Sequence, residues 1–518
     1  MTFEKVLNNR FLVLILFPFL LGAVSVLSFQ PFNFLFINFF SLSLLFLILT
    51  YVRKKIKKTY RKKPYLLNFF IIGYAFGFGF FLLNLFWISY SLTYVDEFKF
   101  LIPFSIILIP LMLAIFFGVG TLIVGPILKN DVQSLLIFCS TFAVIDYLRG
   151  KIFTGFPWNL WAYSWSSILE KLQILNFLGL YAFNLFAITI FCTLALFFFK
   201  KNKLNYLFII FLLLSSFSNY IYGSYEMNKD LQKLSDKEIL IKIVSPSNVL
   251  NYDIEIDELT NQIKEMIKFS DPKENKKTIF IWPEGVFSGY NFSDLKHLKK
   301  TFRENFSKNH IIVFGANTYK KELNKDIYYN SLIAVNNEFE VIYKYNKRKL
   351  VPFGEFLPFE NILNKIGLKK ITRGYGSFTK GNVQKNFSIE NAKILPLICY
   401  EIIFPELIQN SNKNTNLIIN ISEDAWFGDS IGPKQHFTKA IFRAIENNTY
   451  LVRSTNKGIS GFVDNKGRVI KSLNPNETGN IELKVPLIEN NKKNKNDLIF
   501  FILLFTYTII FFTKKNKL

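Results

Sequence analysis

Apolar positions along this chain follow two regimes. Over the first 223 residues, and again near the C-terminus, they form long unbroken runs; in between they form short runs separated by polar stretches. Runs of roughly 17 to 25 apolar residues have the length of a membrane-spanning helix. Such runs occur at Phe11–Ser28, Asn33–Val52, Leu67–Tyr90, Phe104–Leu128, Val132–Leu148, Leu172–Phe199 and Leu204–Gly223, and a shorter eighth lies at Leu498–Thr513. The first is longer than the ~7–15-residue apolar core of a signal peptide and is followed almost at once by the second, so it is read as a retained helix. GYAFGFGFF (residues 73–81) and GVGTLIVG (residues 118–125) lie inside spans rather than between a strand and a helix, which predicts close helix packing rather than phosphate binding.

From about Lys237 to Leu487 the period changes. ILIKIVSPS, TIFIWPE, HIIVFGAN, EVIYKYN, ILPLICYE and NLIINISED read as strands, and they alternate with amphipathic stretches. In IEIDELTNQIKEMIKF, Ile256, Leu259, Ile263 and Ile267 fall near helical spacing. FVDNKGRVI carries a turn signal between two strand runs and predicts a late antiparallel hairpin. The expectation is an α/β sandwich of about 250 residues, enough to bury its own core. The chain therefore divides into a transmembrane domain of seven helices (1–223), an α/β domain (224–497) and a C-terminal helix with a basic tail (498–518).

Composition adds to this in one respect. With 50% hydrophobic residues and 60 phenylalanines the chain has a membrane protein's composition, and the phenylalanine excess by itself carries no functional meaning. The net charge of +24 is more informative for its placement. Lys5 and Arg10 precede the first span, RKKIKKTYRKK follows the second, Lys129 the fourth, KKNK the sixth, and KKNK again the eighth. These are alternate loops. By the positive-inside rule they are cytoplasmic, which puts Ser224–Asp497 on the outer side of the membrane. The basic residues are thus accounted for by topology and by contact with anionic lipid, and because spans flank the RKKIKKTYRKK run no nucleic-acid partner is expected.

Three cysteines are present, and Cys139 and Cys192 lie in apolar spans, where a thiol packs as a small hydrophobe. Cys399 stands alone in the α/β domain, outside the cytoplasm and with no second cysteine to pair. It is either buried and inert or a free thiol kept for reactivity. A nucleophilic thiol needs a base. Of the three histidines, His297 lies in the Lys-rich DLKHLKK, His310 adjoins a strand, and His436 opens an amphipathic helix and is the serious competitor. Glu284 in TIFIWPEG offers another answer. It follows an apolar strand, as Cys399 does, and the carboxyl ends of strands are where open α/β sheets collect their ligand-binding groups. A carboxylate desolvated among apolar side chains can serve as the base. YNKRKLVPFGEFLP (residues 345–358) adds Lys347 at a strand end and Glu355 in the Pro/Gly loop beyond it, although in so basic a chain any single lysine is by default a surface residue.

WPEG, YNKRKLVPFGE and LICYE, in that order and spacing, resemble the Glu, Lys and Cys motifs of the nitrilase superfamily. The PFGE extension and the spans narrow the resemblance to the bacterial apolipoprotein N-acyltransferases. FTGFPWNLWAYS (residues 153–164) and GPKQHFTKAIFRAIENNTYLVRSTNKGIS (residues 432–460) are also similar to segments of that family, so the likeness covers essentially the whole chain.

The resemblance implies an αββα sandwich joined to a multi-pass helical membrane domain. It implies Glu284 as general base, Cys399 as nucleophile and Lys347 as the cation beside the oxyanion, with Glu355 orienting Lys347, and Tyr400 and Glu401 positioning substrate. It further implies an acyl chain moving from a membrane phospholipid, phosphatidylethanolamine in this family, through a Cys399 thioester to the α-amino group of a diacylglyceryl-cysteine on an apolipoprotein. The site would face the periplasmic side of the inner membrane, in a monomer, with no cofactor and no metal. Where the family carries a QGN-type stretch and a tryptophan this chain reads VSPSNVLNY, with Tyr252 nearest that place. Two other readings stay open at this stage: a membrane-tethered amide hydrolase of nitrilase type, and a non-catalytic membrane scaffold or transporter in which Cys399 is merely packed and Glu284 pairs structurally with Lys347.

Overall fold

The computed structural model describes residues 7–56, 60, 65–200, 203–229, 237–251, 253–322, 325–360, 365, 377–382, 386–409, 415–488 and 496–513. The chain forms two compact units. One contains Met1–Ser89, Lys99–Asn228 and Asn494–Leu518; the other contains Tyr90–Phe98 and Lys229–Lys493.

The first unit is helical. Among the described residues, six helices are long and apolar enough to cross a membrane: Phe36–Lys55, Leu66–Tyr94, Asp96–Ile127, Val132–Arg149, Leu180–Phe198 and Asn205–Met227. Leu12–Ser28 and Asp497–Thr513 are shorter apolar helices. These eight match the apolar runs, with one difference. The run predicted from Leu172 becomes a crossing helix only at Leu180, because Gly179, at φ +75°, ends the short helix Leu175–Leu178. The span glycines do allow close packing. A Cβ on Gly73 would lie 2.4 Å from the Phe117 carbonyl oxygen, and one on Gly79 would lie 2.1 Å from that of Phe19. A buried polar network went unseen in the hydropathy pattern. Arg149 donates to Asp146 (2.9 Å), as does Asn184 (2.9 Å), while Asn159 of the FPWNLW segment donates to Asn84 (3.1 Å). Buried polar groups in an apolar setting persist when paired in this way.

Among the described residues the second unit holds twelve strands: β1 (Glu238–Ser245), β2 (Thr278–Ile281), β3 (His310–Glu322), β4 (Lys325–Val335), β5 (Val341–Asn346), β6 (Phe387–Ile389), β7 (Ala392–Ile398), β8 (Leu417–Glu423), β9 (Tyr450–Asn456), β10 (Ser460–Val463), β11 (Val469–Leu473) and β12 (Gly479–Pro486). They make two six-stranded sheets, ordered β12-β1-β2-β3-β4-β5 and β11-β10-β9-β8-β7-β6. Strands β1, β2 and β3 run parallel, as do β7, β8 and β9, and the outer pairs are antiparallel. The central strands β8 and β9 are buried at every position, the pattern of strands covered on both faces.

The two sheets meet face to face. Ser454 Oγ donates to the Val244 carbonyl (3.0 Å) and Ser245 Oγ to that of Thr455 (3.1 Å). Helices Ile256–Ser270 and Gly432–Asn447 lie against the outer faces, on β1 and β12 and on β9 and β10 respectively, completing an αββα sandwich. On the first of these helices Leu259, Ile263, Met266 and Ile267 are buried while Ile256 is 42% exposed, so the buried stripe begins one turn later than its spacing suggested. The late hairpin is β10–β11. Its turn is held by Asp464 Oδ1, which accepts from the backbone N–H groups of Lys466 and Arg468 (2.8 Å each), and by Gly467 at φ +84°.

Candidate active site

Each residue singled out by the motifs lies just past the carboxyl end of a strand. Glu284 follows β2, Lys347 follows β5, and Cys399 follows β7. Gly315 on β3 makes room for the first of these, since a Cβ there would stand 2.8 Å from the Glu284 Cα and 3.2 Å from Ile421 Cδ1.

Lys347, 1% exposed, sits between two carboxylates. Its Nζ lies 2.9 Å from Glu355 Oε1 and 3.4 Å from Glu284 Oε1. Asn330 of β4 donates to the same two oxygens, at 2.7 Å each. Glu284 Oε2 accepts the backbone N–H of Glu423 (3.0 Å) and Glu355 Oε2 that of Val351 (2.8 Å). Burial works against the charge on Lys347, but the Glu284 and Glu355 carboxylates outweigh it and raise its pKa, so the lysine remains a cation.

Cys399 is buried at the turn from β7 into a short 3-10 helix, and its φ of +47° lies in the left-handed region that a residue with a Cβ adopts at a cost of ~1–3 kcal/mol. The strain is held by Glu401. Glu401 Oε2 accepts the Ile398 N–H (2.8 Å), and its Oε1 accepts from the Tyr345 hydroxyl (2.8 Å) and the N–H groups of Arg348 (2.7 Å) and Lys349 (3.2 Å). One buried carboxylate thus ties the cysteine turn to the segment that carries Lys347. Burial pushes the Cys399 thiol well above its usual pKa; the charge on Glu284 adds to this and that on Lys347 opposes it, while Ser422 hydrogen-bonds the sulfur. The resting group is a thiol under the fields of a carboxylate and an ammonium. Such a group can react only by losing its proton to a base during attack, with the nearby cation compensating the charge that develops.

His436 is placed otherwise. It is buried on the Gly432–Asn447 helix with Nδ1 3.1 Å from Asp424 Oδ1, and Arg453 bridges to the same aspartate at 2.9 Å. Burial, then Arg453, pushes its pKa down to about 4. His310 is tied into the structure by the Ser307 N–H and the Lys273 carbonyl, and His297 is exposed. Tyr400 is buried and stacks edge-on to Phe404 (5.0 Å). Tyr252 lies outside the described residues.

Several polar residues of the site were missed by the motif reading: Asn330, Ser422, Glu423 and Asn456. Glu423 closes β8 just as Cys399 follows β7, so the strand-end rule that picked Glu284 applied equally to the final acids of NLIINISED.

Residues 246–489 match the carbon-nitrogen hydrolase family, so the αββα unit is a domain of the nitrilase class. Residues 21–194 match the N-terminal domain of apolipoprotein N-acyltransferase. The chain is 33% identical over 475 residues to the apolipoprotein N-acyltransferase of Rickettsia typhi, covering 90% of this chain and 91% of that one. To that of Rhizobium rhizogenes it is 29% identical over 481 residues, covering 90% and 89%. It therefore belongs to the apolipoprotein N-acyltransferase family. Among solved structures, a nitrilase-superfamily protein of Saccharomyces cerevisiae aligns with 49% of this chain and 92% of its own, at 18% identity and a TM-score of 0.35.

Proposed function

We propose that the protein moves an acyl chain from a membrane phospholipid to the α-amino group of a diacylglyceryl-cysteine on an apolipoprotein, in two half-reactions through a thioester on Cys399. The observation that carries this reading is the buried ammonium of Lys347, held between Glu284 and Glu355, whose field reaches a buried, strained and protonated Cys399.

Glu284 takes the thiol proton as sulfur attacks the ester carbonyl. Lys347 and a backbone N–H beyond Cys399 meet the oxyanion, and Glu284 returns the proton to the departing lysophospholipid hydroxyl. In the second half-reaction the amine attacks the thioester, the C–N bond forms, the C–S bond breaks, and the thiol is restored. Glu355 holds Lys347, and Glu401 sets the cysteine turn. Tyr400, beside the nucleophile, borders the path of the substrate.

The apolar helices support a lipid-borne substrate pair, since neither a phospholipid nor a lipidated protein leaves the bilayer. The alternating basic loops favour the inner membrane with residues 224–497 periplasmic. Phosphatidylethanolamine is the donor in this reading, and the monomer is the active unit.

Intact-mass measurement of the full chain isolated from membranes is the test. One acyl chain in place of the thiol hydrogen is expected, removed by neutral hydroxylamine and missing from Cys399→Ala. An unmodified wild-type chain incubated with phospholipid, or an adduct that persists in Cys399→Ala, would overturn the mechanism. Release of the acyl group to water in the presence of a lipoprotein amine would favour a hydrolase.

A further inference from the structure

A small cavity lies beside Glu284. Its walls include Asn248, Asn251, Glu284, Gly285, Glu423 and Asn456. Apolar side chains such as Leu250 and Ile254 line the rest. Asn456, 4% exposed, donates through Nδ2 to the Asn248 carbonyl (3.0 Å) and to Glu423 Oε1 (3.1 Å) and Oε2 (2.9 Å), which fixes the amide's orientation. Its Oδ1 is left buried with no donor among the described residues. Glu423 Oε1 also accepts the Ala425 N–H (3.1 Å), and its Oε2 faces Gly285, where a Cβ would stand 2.9 Å away. Glu284, Glu423 and Asn456 thus share one cavity, and the amide oxygen of Asn456 is a buried acceptor without a donor among the described residues. A buried acceptor without a donor is costly, so the complement of this wall is a ligand that brings N–H groups and positive charge.

We propose that Glu423 and Asn456 form the subsite for the acceptor's α-ammonium and that Glu423 removes its first proton. This rests on the two-step acyl transfer proposed above and assigns a residue to a proton that the Glu-Lys-Cys set leaves over. A primary ammonium carries three N–H protons and the amide product keeps one. Of the two lost, one passes through Glu284 to the Cys399 sulfur as the C–S bond breaks. The other must leave before attack, because the nitrogen lone pair is not free until then; Glu423 takes it and later yields it to solvent.

The surroundings agree with this role. Glu423 is flanked by Glu284, by Asp424, whose charge Arg453 pairs, and by Tyr94, whose hydroxyl donates to the Ala425 carbonyl (2.7 Å). Burial holds Glu423 well above the usual carboxylate range, with Glu284 and Asp424 adding to the effect against the hydrogen bonds from Asn456 and Ala425. An arriving cation reverses that balance: it ionises Glu423 and provides the base where the cation sits.

The experiment follows both half-reactions in the full chain in detergent–phosphatidylethanolamine micelles, using a synthetic dipalmitoylglyceryl-cysteinyl peptide with a free amino terminus. Glu423→Gln should still form the Cys399 adduct and accumulate it, because transfer is slowed far more than adduct formation. At about pH 6.5 only about one in twenty α-amino groups of pKa ~7.8 is neutral. Transfer by the variant should therefore be ~20-fold slow there, recovering to within about twofold by about pH 8.5, where the amine arrives neutral. Glu423→Asp should restore part of the low-pH rate. Wild-type transfer by Glu423→Gln at pH 6.5, a defect that does not change with pH, or loss of adduct formation together with transfer would each overturn the assignment. Failure of the wild type to form an adduct at all would instead overturn the two-step reading on which it rests.

Discussion

Lys347→Met separates two roles that one buried cation can play. The ammonium lies 2.9 Å from Glu355 and 3.4 Å from Glu284 and is almost fully buried, so its removal strands two carboxylates away from water. Asn330 still donates to both but supplies no charge. Breaking a buried pair by deleting one partner costs ~3–5 kcal/mol. At about 2–4 °C per kcal/mol for a domain of this size, the apparent midpoint of thermal unfolding in detergent should fall by roughly 10 °C. Adduct formation should fall by about 10²–10³-fold if Lys347 also meets the oxyanion. The control is Lys347→Met combined with Glu355→Gln. Removing one orphaned carboxylate should return ~1–3 kcal/mol of the lost stability, with no return of adduct formation. The assay pairs thermal scanning with the rate of acylation by labelled phospholipid. If Lys347→Met left the midpoint within ~1 kcal/mol equivalent, the buried ion pair would be wrong. Recovery of acylation together with stability in the double variant would reduce Lys347 to a structural residue.

Cys399→Ser keeps the shape of the turn but needs a far stronger base, so it should fold and form almost no acyl adduct. Glu284→Gln should also lose adduct formation while His436→Ala keeps it, and the reverse outcome would install a Cys-His pair instead. Glu401→Gln puts an amide NH₂ against at least one of the N–H donors that Glu401 now accepts, for a loss of ~1–3 kcal/mol and slower acylation, whereas Tyr345→Phe, which removes a single donor, should cost ~1 kcal/mol by the same thermal assay. His436 is buried and its pKa is lowered from 6.5 to about 4, so between those values the unfolded chain binds a proton that the folded chain does not. Stability should therefore fall as pH drops through that window, by up to ~3 kcal/mol, and His436→Gln should flatten the midpoint-against-pH curve there; parallel curves would refute a buried neutral imidazole. A reporter fused after Asn251 should behave as extracytoplasmic and one fused at Lys57 as cytoplasmic; the same side for both would remove the topology.

The site was legible in proportion to how far it depends on strand ends. Glu284, Lys347 and Cys399 each close an apolar run, and that pattern needs only local sequence. Asn330 could not be read this way. It is a polar residue in the middle of β4, and its meeting with both Glu284 and Glu355 depends on how a strand inside one sheet faces two loops 46 and 25 residues away in the chain. Glu401 reads in the sequence as a neighbour of Cys399. Its four acceptor contacts instead make it the clamp between two loops, a role that exists only once β5 and β7 stand in facing sheets.

Hydropathy by itself determined the helical spans and the change of period at about Lys237, because length and alternation of apolar residues act through local geometry and solvent transfer. It also determined that Cys399 has no disulfide partner in its domain, which is a matter of counting. Only the tertiary structure decided what each buried polar group meets. His436 could equally have been a base; burial and the neighbouring Arg453, outweighing the pull of Asp424, made it a buried neutral ring. Glu423 read as the polar end of a strand; β2, β8 and β9 brought it beside Glu284 and Asn456 around a shared cavity. The physical reason is the range of the forces. Helices and strands arise from contacts a few residues apart, whereas the ionisation and pairing of a buried group depend on every charge and donor within several ångströms, and those come from segments that lie together only after the chain has folded.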